Sequence, residues 1–244
     1  CSGIVRRGVR QERAPGRRRD PPALAKALSD RQMETRWYAI DALGNFGADA
    51  APAVPDIIKS LESELNDETV RRRGARTLGR IGEAAVEAVT VLSDALESED
   101  TIYRVAAAAA LWRINGSDRA LEIISRELHA EDADTAFFAA TTAAELPDAG
   151  RRTLLPHLVA GLSHEDADVR QAIVAALVRI GAPSIAPLSE YLQKSNEIGR
   201  TDAVRGLGMV IDRQRRRVLY NDATSEREFA AVAGPLIRQA FPAL

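Results

Sequence analysis

Two leucine-like residues four apart recur six times along the chain, as Leu24/Leu28, Ile57/Leu61, Leu92/Leu96, Ile124/Leu128, Leu158/Leu162 and Leu188/Leu192. About eight residues after each pair, a second helical pattern opens on one recurring position. That position holds Arg36, Arg71, Arg104, Ala136, Arg170 and Arg200, and seven residues further on stand Leu43, Leu78, Leu111, Ala143, Leu177 and Leu207. Successive members of the arginine column are 35, 33, 32, 34 and 30 residues apart. A period near 34 marks a repeat array, because a unit so short cannot bury its apolar face alone and must stack on its neighbours.

Each unit reads as two helices. The i, i+4 pair places two apolar side chains on one face of the first helix. Pro22, Pro55, Pro156 and Pro187 stand near the start of such a helix, where a missing N–H costs nothing. The second helix follows an acidic turn, with Asp67, Asp100 and Asp166 four residues before Arg71, Arg104 and Arg170. An aspartate there is suited to cap the helix and to meet arginines of its own or the next unit. Gly47, Gly82, Gly116 and Gly181 stand at the helix ends, where a positive φ is wanted.

The segments DETVRRRGARTLGRIG (Asp67–Gly82) and EDADVRQAIVAALVRIG (Glu165–Gly181) resemble the HEAT-repeat family, in particular its short bacterial form related to phycobilin-lyase HEAT-like repeats. The resemblance runs from Pro22 to Met209. It implies an all-α, right-handed α-solenoid of about six helical hairpins. It implies no single function, since the family holds scaffolds, enzyme subunits and nucleic-acid binders. The fourth unit departs from the pattern: Ala136 replaces the arginine and Pro147 the glycine. The polar ladder between repeats is expected to break there.

The expected division is a disordered basic tether over residues 1–20, the solenoid over 21–211, and a linker with a C-terminal capping segment over 212–244. Residues 1–20 carry a side-chain charge of +5 against −2 for the whole chain, and their arginines, glycines and prolines suit a disordered segment. The capping segment opens on Ser225 and Glu228, which have capping-box spacing. Cys1 is the sole cysteine and resembles the lipidated terminus of a bacterial lipoprotein. An arbitrary boundary or a fragment of a longer chain are the competing readings. On the lipoprotein reading the chain is held at the cell envelope, and the tether's arginines lie near anionic headgroups. Val105–Trp112, bounded by Arg104 and Arg113, falls far short of the ~20 apolar residues that span a bilayer.

Catalytic motifs are missing from the sequence, so no enzymatic activity and no cofactor is expected. The histidines, His129, His157 and His164, have no cysteine near them and read as structural rather than as a metal site. Function then falls to the surface. Resemblance places the second helices on the concave wall. The stripe away from their packed side reads Tyr38, Asp41, Asn45; Arg73, Arg76, Arg80; Ala106, Ala109, Arg113; Phe138, Thr141, Glu145; Ala172, Ala175, Arg179; and Asp202, Arg205, Met209. Arginine beside aromatics is the composition of interface hot spots. The candidate partner-binding residues are Arg73, Arg76, Arg80, Arg113, Arg179, Tyr38 and Phe138, with Ala106 and Ala109 leaving room for a partner. Arg36, Arg71, Arg104, Arg170 and Arg200 form the structural column. The expected function is a non-enzymatic protein-interaction scaffold. A nucleic-acid binder and a bilin-lyase-like subunit are the alternatives, and the charge of −7 on residues 21–244 disfavours nucleic acid.

Overall fold

A computed structural model describes residues 21–63, 67–194 and 198–221, with side chains to residue 216. Cys1, the tether and the capping segment from residue 222 lie outside the described residues. Within them the chain forms six successive helical hairpins. These are α1 (Pro21–Ala27) with α2 (Met33–Gly44), α3 (Val54–Glu62) with α4 (Glu68–Ile81), and α5 (Val89–Asp94) with α6 (Thr101–Asn115). There follow α7 (Asp118–Glu127) with α8 (Ala133–Glu145), then α9 (Asp148–Thr153) and α10 (Leu155–Ala160) with α11 (Ala167–Ile180), then α12 (Ile185–Lys194) with α13 (Arg200–Asn221). No strand occurs among the described residues.

The periodic positions are the core. Leu43, Leu78, Leu111, Ala143, Leu177 and Leu207 are all buried, as is every member of the leucine-like pairs except the half-buried Leu24. Burying each large aliphatic side chain contributes about 1.5–3 kcal/mol. The second helices pack on one another in sequence, α2 on α4, α4 on α6, α6 on α8, α8 on α11 and α11 on α13. Small residues bring them close. Ala106 to Ala110 are all buried on α6, and a Cβ on Gly79 of α4 would stand 3.0 Å from the Cα of Ala110.

Starts and stops follow local chemistry. Asp67, Asp100, Asp132 and Asp166 accept hydrogen bonds from Val70, Tyr103, Thr135 and Val169 N–H at 2.9–3.0 Å, satisfying donors that helix geometry leaves open. Gly82 and Gly181, with φ of 72° and 80°, end α4 and α11 in a region that strains any residue with a Cβ.

Four details differ from the sequence expectations. The column arginine serves its own turn as well as the next repeat, which Arg104 reaches at Glu127 and Arg170 at Asp202. Arg36 donates to the Asp30 and Arg31 carbonyls, Arg104 to that of Ser98, and Arg170 to those of His164 and Glu165. In the second unit the tie to the next repeat comes from Arg72, whose Nε donates to Asp100 at 2.8 Å. Arg71 makes no such bond among the described residues, although its charge reaches Tyr103 in the first turn of α6. Asp202 belongs to the packed side, 7% exposed and bonded to Arg170 at 2.8 Å. Finally, α13 runs unbroken through Asn221, past the expected linker start at 212. Met209–Asn221 contains no glycine or proline to stop it, and the Arg213 guanidinium donates back to the Val178 carbonyl of α11.

The fourth unit keeps a tie despite its missing arginine. Thr135 donates to Asp132 at 2.5 Å, so the 2.6 Å contact with Thr101 of the third unit has the Thr101 hydroxyl as donor. Arg104 and Arg126 converge on the buried Glu127 carboxylate. Arg151 takes the Ala144 and Leu146 carbonyls at the C-terminus of α8, where proline stands in place of the usual glycine.

Candidate functional site

Four consecutive second helices contribute side chains to one hollow of ≈ 360 Å³. Its lining comprises Arg76 and Arg80 from α4, Ala106, Ala109 and Arg113 from α6, Thr142 and Glu145 from α8, and Arg179 from α11. An adjoining hollow of ≈ 430 Å³ shares Arg76 and Arg80 and adds Asp41, Asn45, Arg73, Ile102 and Phe138 among its walls.

The curvature of this face follows from one contact. Arg76 Nη2 of α4 lies 4.0 Å from Glu145 Oε2 of α8, with α6 between them. Packed helix axes stand about 8–10 Å apart, so side chains from alternate helices meet most readily where the wall curves inward and the middle helix is low. Ala106 and Ala109 keep it low. They are 1% and 3% exposed, so they form a floor under the arginine arms rather than open space for a partner.

Charges in the wall are unequally satisfied. Arg73 pairs with Asp41 and lies with its guanidinium carbon 5.7 Å from the centre of the Trp37 ring. Arg113 donates to the Glu145 backbone carbonyl at 3.0 Å. Its guanidinium is held below the ordinary arginine range by burial, with Arg76 and Arg80 adding to that and Glu145 opposing it. Among the described residues, no hydrogen-bond or ion-pair partner is found for Arg80 or Arg179, both exposed. The first hollow therefore sets four guanidinium groups against one carboxylate.

Of the sequence candidates, Arg73, Arg76, Arg80, Arg113, Arg179 and Phe138 converge on these two hollows, while Tyr38, 75% exposed, lines neither. Sequence reasoning missed the counter-charges: Asp41 and Glu145 were visible as stripe positions, with nothing to say which arginines they would meet.

On a different part of the array, the His129 and His157 rings stand edge to face at 6.3 Å. His164 Nδ1 accepts from the Asp166 N–H, so its Nε2 carries the proton bonded to the Ala130 carbonyl. Among the described residues no three His, Cys, Asp or Glu side chains converge as a metal site, and no helix is long and apolar enough to cross a membrane.

Stacked hairpins whose second helices share one curved wall define an α-solenoid repeat protein. The chain belongs to the HEAT-repeat family, whose "HEAT repeats" model matches residues 21–112 and 121–208. That family is generally non-catalytic, and its repeats typically bind protein partners. A HEAT repeat-containing taxis protein of Halobacterium salinarum is 29% identical over 168 residues, which is 68% of this chain. The match spans only 37% of that relative's length. Among solved structures, the CpcE–CpcF complex of phycocyanin lyase from Nostoc is similar over 100% of both chains, at 18% identity and a TM-score of 0.49. An engineered protein is similar over 79% of this chain and 97% of its own, at 24% identity and a TM-score of 0.43.

Proposed function

We propose that this protein is a non-enzymatic scaffold that holds a protein partner against the curved wall of its second helices. The observation that supports this reading is the convergence of side chains from α4, α6, α8 and α11 on one hollow. A surface drawn from four repeats is wide enough to grip a partner's element, and its rigidity comes from packed helices rather than loops. Arginines with spare donors beside an aromatic ring match the groups that dominate interface energetics. The partly apolar neighbouring hollow, with Ile102 and Phe138, offers a place where water is displaced on binding.

Site-specific photo-crosslinking in the native host tests the proposal. A photoreactive residue at Asn45, which lines the wall, is expected to give a discrete protein adduct. One at Lys59, an exposed position on first helix α3, is expected to give none. Adducts of equal yield from both positions, or from Lys59 alone, would place the partner elsewhere.

A further inference from the structure

The arginines of the wall also indicate what they bind. We infer that the hollow formed by Arg76, Arg80, Arg113 and Arg179 takes the carboxylates of an acidic peptide segment, with a neighbouring apolar side chain of that segment seated against Ile102 and Phe138. This rests on the scaffold reading and gives it a ligand class.

The excess of positive charge is local. The hollow holds four guanidinium groups and the Glu145 carboxylate, whereas the chain as a whole carries −2. Arg72 on α4 and Arg170 on α11, the helices that also carry Arg80 and Arg179, are neutralised by Asp100 and Asp202, so bare arginines are not the habit of this fold. Arg80 and Arg179 stand across α6 and α8 from one another with their five donors each uncommitted among the described residues. Arg113 is packed beside Arg76 and Arg80, and burial with their repulsion disfavours its charge. An incoming carboxylate relieves that repulsion and accepts bidentate bonds from the planar guanidinium forks.

The surroundings select a peptide over a phosphate polymer. Asp41 closes one end of the arginine cluster and Glu145 stands within it, 4.0 Å from Arg76. A strand with a charge on every residue meets one of these acids whichever way it lies. A peptide with two adjacent acidic residues does not, because its next side chain enters the hollow of Ile102 and Phe138 uncharged. Glu145 also shows the chemistry in miniature: its contact with Arg76 is loose enough for a better-placed carboxylate to replace it.

The test is an array of random dodecapeptides probed with the full chain, followed by fluorescence anisotropy on the strongest peptides. Two adjacent Asp or Glu residues next to a large apolar one are expected to be enriched. Arg80→Glu/Arg179→Glu should weaken those peptides roughly tenfold or more, the scale of losing charged partners at an interface. Because both side chains are exposed, the melting temperature and helical circular dichroism of this variant should match the parent, and Phe138→Ala should weaken the same peptides without affecting acidic peptides that lack the apolar residue. Absence of acidic enrichment, equal binding by the double variant, or tighter binding of a phosphopeptide or an oligonucleotide of the same charge would overturn the assignment. If crosslinking from Asn45 still captures a partner in that event, the scaffold reading stands and only the ligand class falls.

Discussion

Removing the Arg170 side chain tests how neighbouring repeats are held together. Its Nε bonds Asp202 of α13 at 2.8 Å, and its Nη1 bonds the carbonyls of His164 and Glu165 at 2.7 Å each. Arg170 and Asp202 side chains are only 12% and 10% exposed. Breaking such a pair by truncating one partner costs about 3–5 kcal/mol, since the other charge stays buried. Asp202 retains Arg205 at 3.3 Å, which moves the cost to the low end. Arg170→Ala is therefore expected to lose about 3 kcal/mol. For an array of this size that is a melting-temperature fall of about 6–12 °C if it unfolds as one unit. Repeat arrays can open piecewise, so amide exchange supplies the local readout: protection should fall across α11 and α13 and hold in α4. Arg119→Ala is the control. Its pair with Glu97 is 60% and 72% exposed, and such pairs contribute about 1 kcal/mol or less. Equal losses for the two variants, or no coupling between Arg170→Ala and Asp202→Ala, would refute the reasoning.

Gly199→Ala places a Cβ against the Leu162 carbonyl oxygen, which is backbone and cannot rotate away, and 2.6 Å from the Tyr191 hydroxyl. A loss of about 3 kcal/mol is expected by urea unfolding, whereas Gly208→Ala, with open space around it, should be neutral or mildly stabilising through the better helix propensity of alanine. His129 is held below its ordinary 6.5 by burial first and by His157 and His164 next. The unfolded chain thus binds more protons, and stability should be full above 6.5 and decline as the pH falls through the folded value. His129→Asn should flatten that decline in melts between neutral pH and pH 5. At lower pH the caps respond: Asp132 lies below 3.8 through the Thr135 hydroxyl and N–H, and Asp166 through the Val169 N–H. Their contribution is present above 3.8 and disappears as the pH falls below it, which Asp132→Asn should remove from the acid limb of the profile.

The hairpins were legible because burial follows spacing. Leu78 and Leu177 sit at the same phase in sequence and both are fully buried. The aspartate caps were equally local, each aspartate bonding a residue two or three positions ahead. Contacts between units were harder to read. Three consecutive arginines, Arg71, Arg72 and Arg73, leave the column ambiguous by one residue, and one residue decides between the next turn and the concave wall. Asp202 shares its stripe phase with exposed positions, yet the arrival of Arg170 from the preceding unit covers it. The meeting of Arg76 with Glu145 depends on curvature, which belongs to the sum of many helix contacts and to no single segment. The end of α13 was missed for a simpler reason. The arginines from Arg213 to Arg217 read as a connection by charge alone, although every residue among them is compatible with a helix.

The fourth hairpin has a consequence for how this array can be lengthened or shortened. Its C-terminal carbonyls are engaged from both sides, by Arg113 of the third unit and by Arg151 at the opening of the fifth. Repeat proteins are commonly treated as interchangeable cassettes. Here the cassette boundary does not coincide with the hairpin boundary: units three to five form one block of shared terminations. Duplicating or excising the fourth hairpin alone leaves an arginine without its acceptor, or a helix end without its donor.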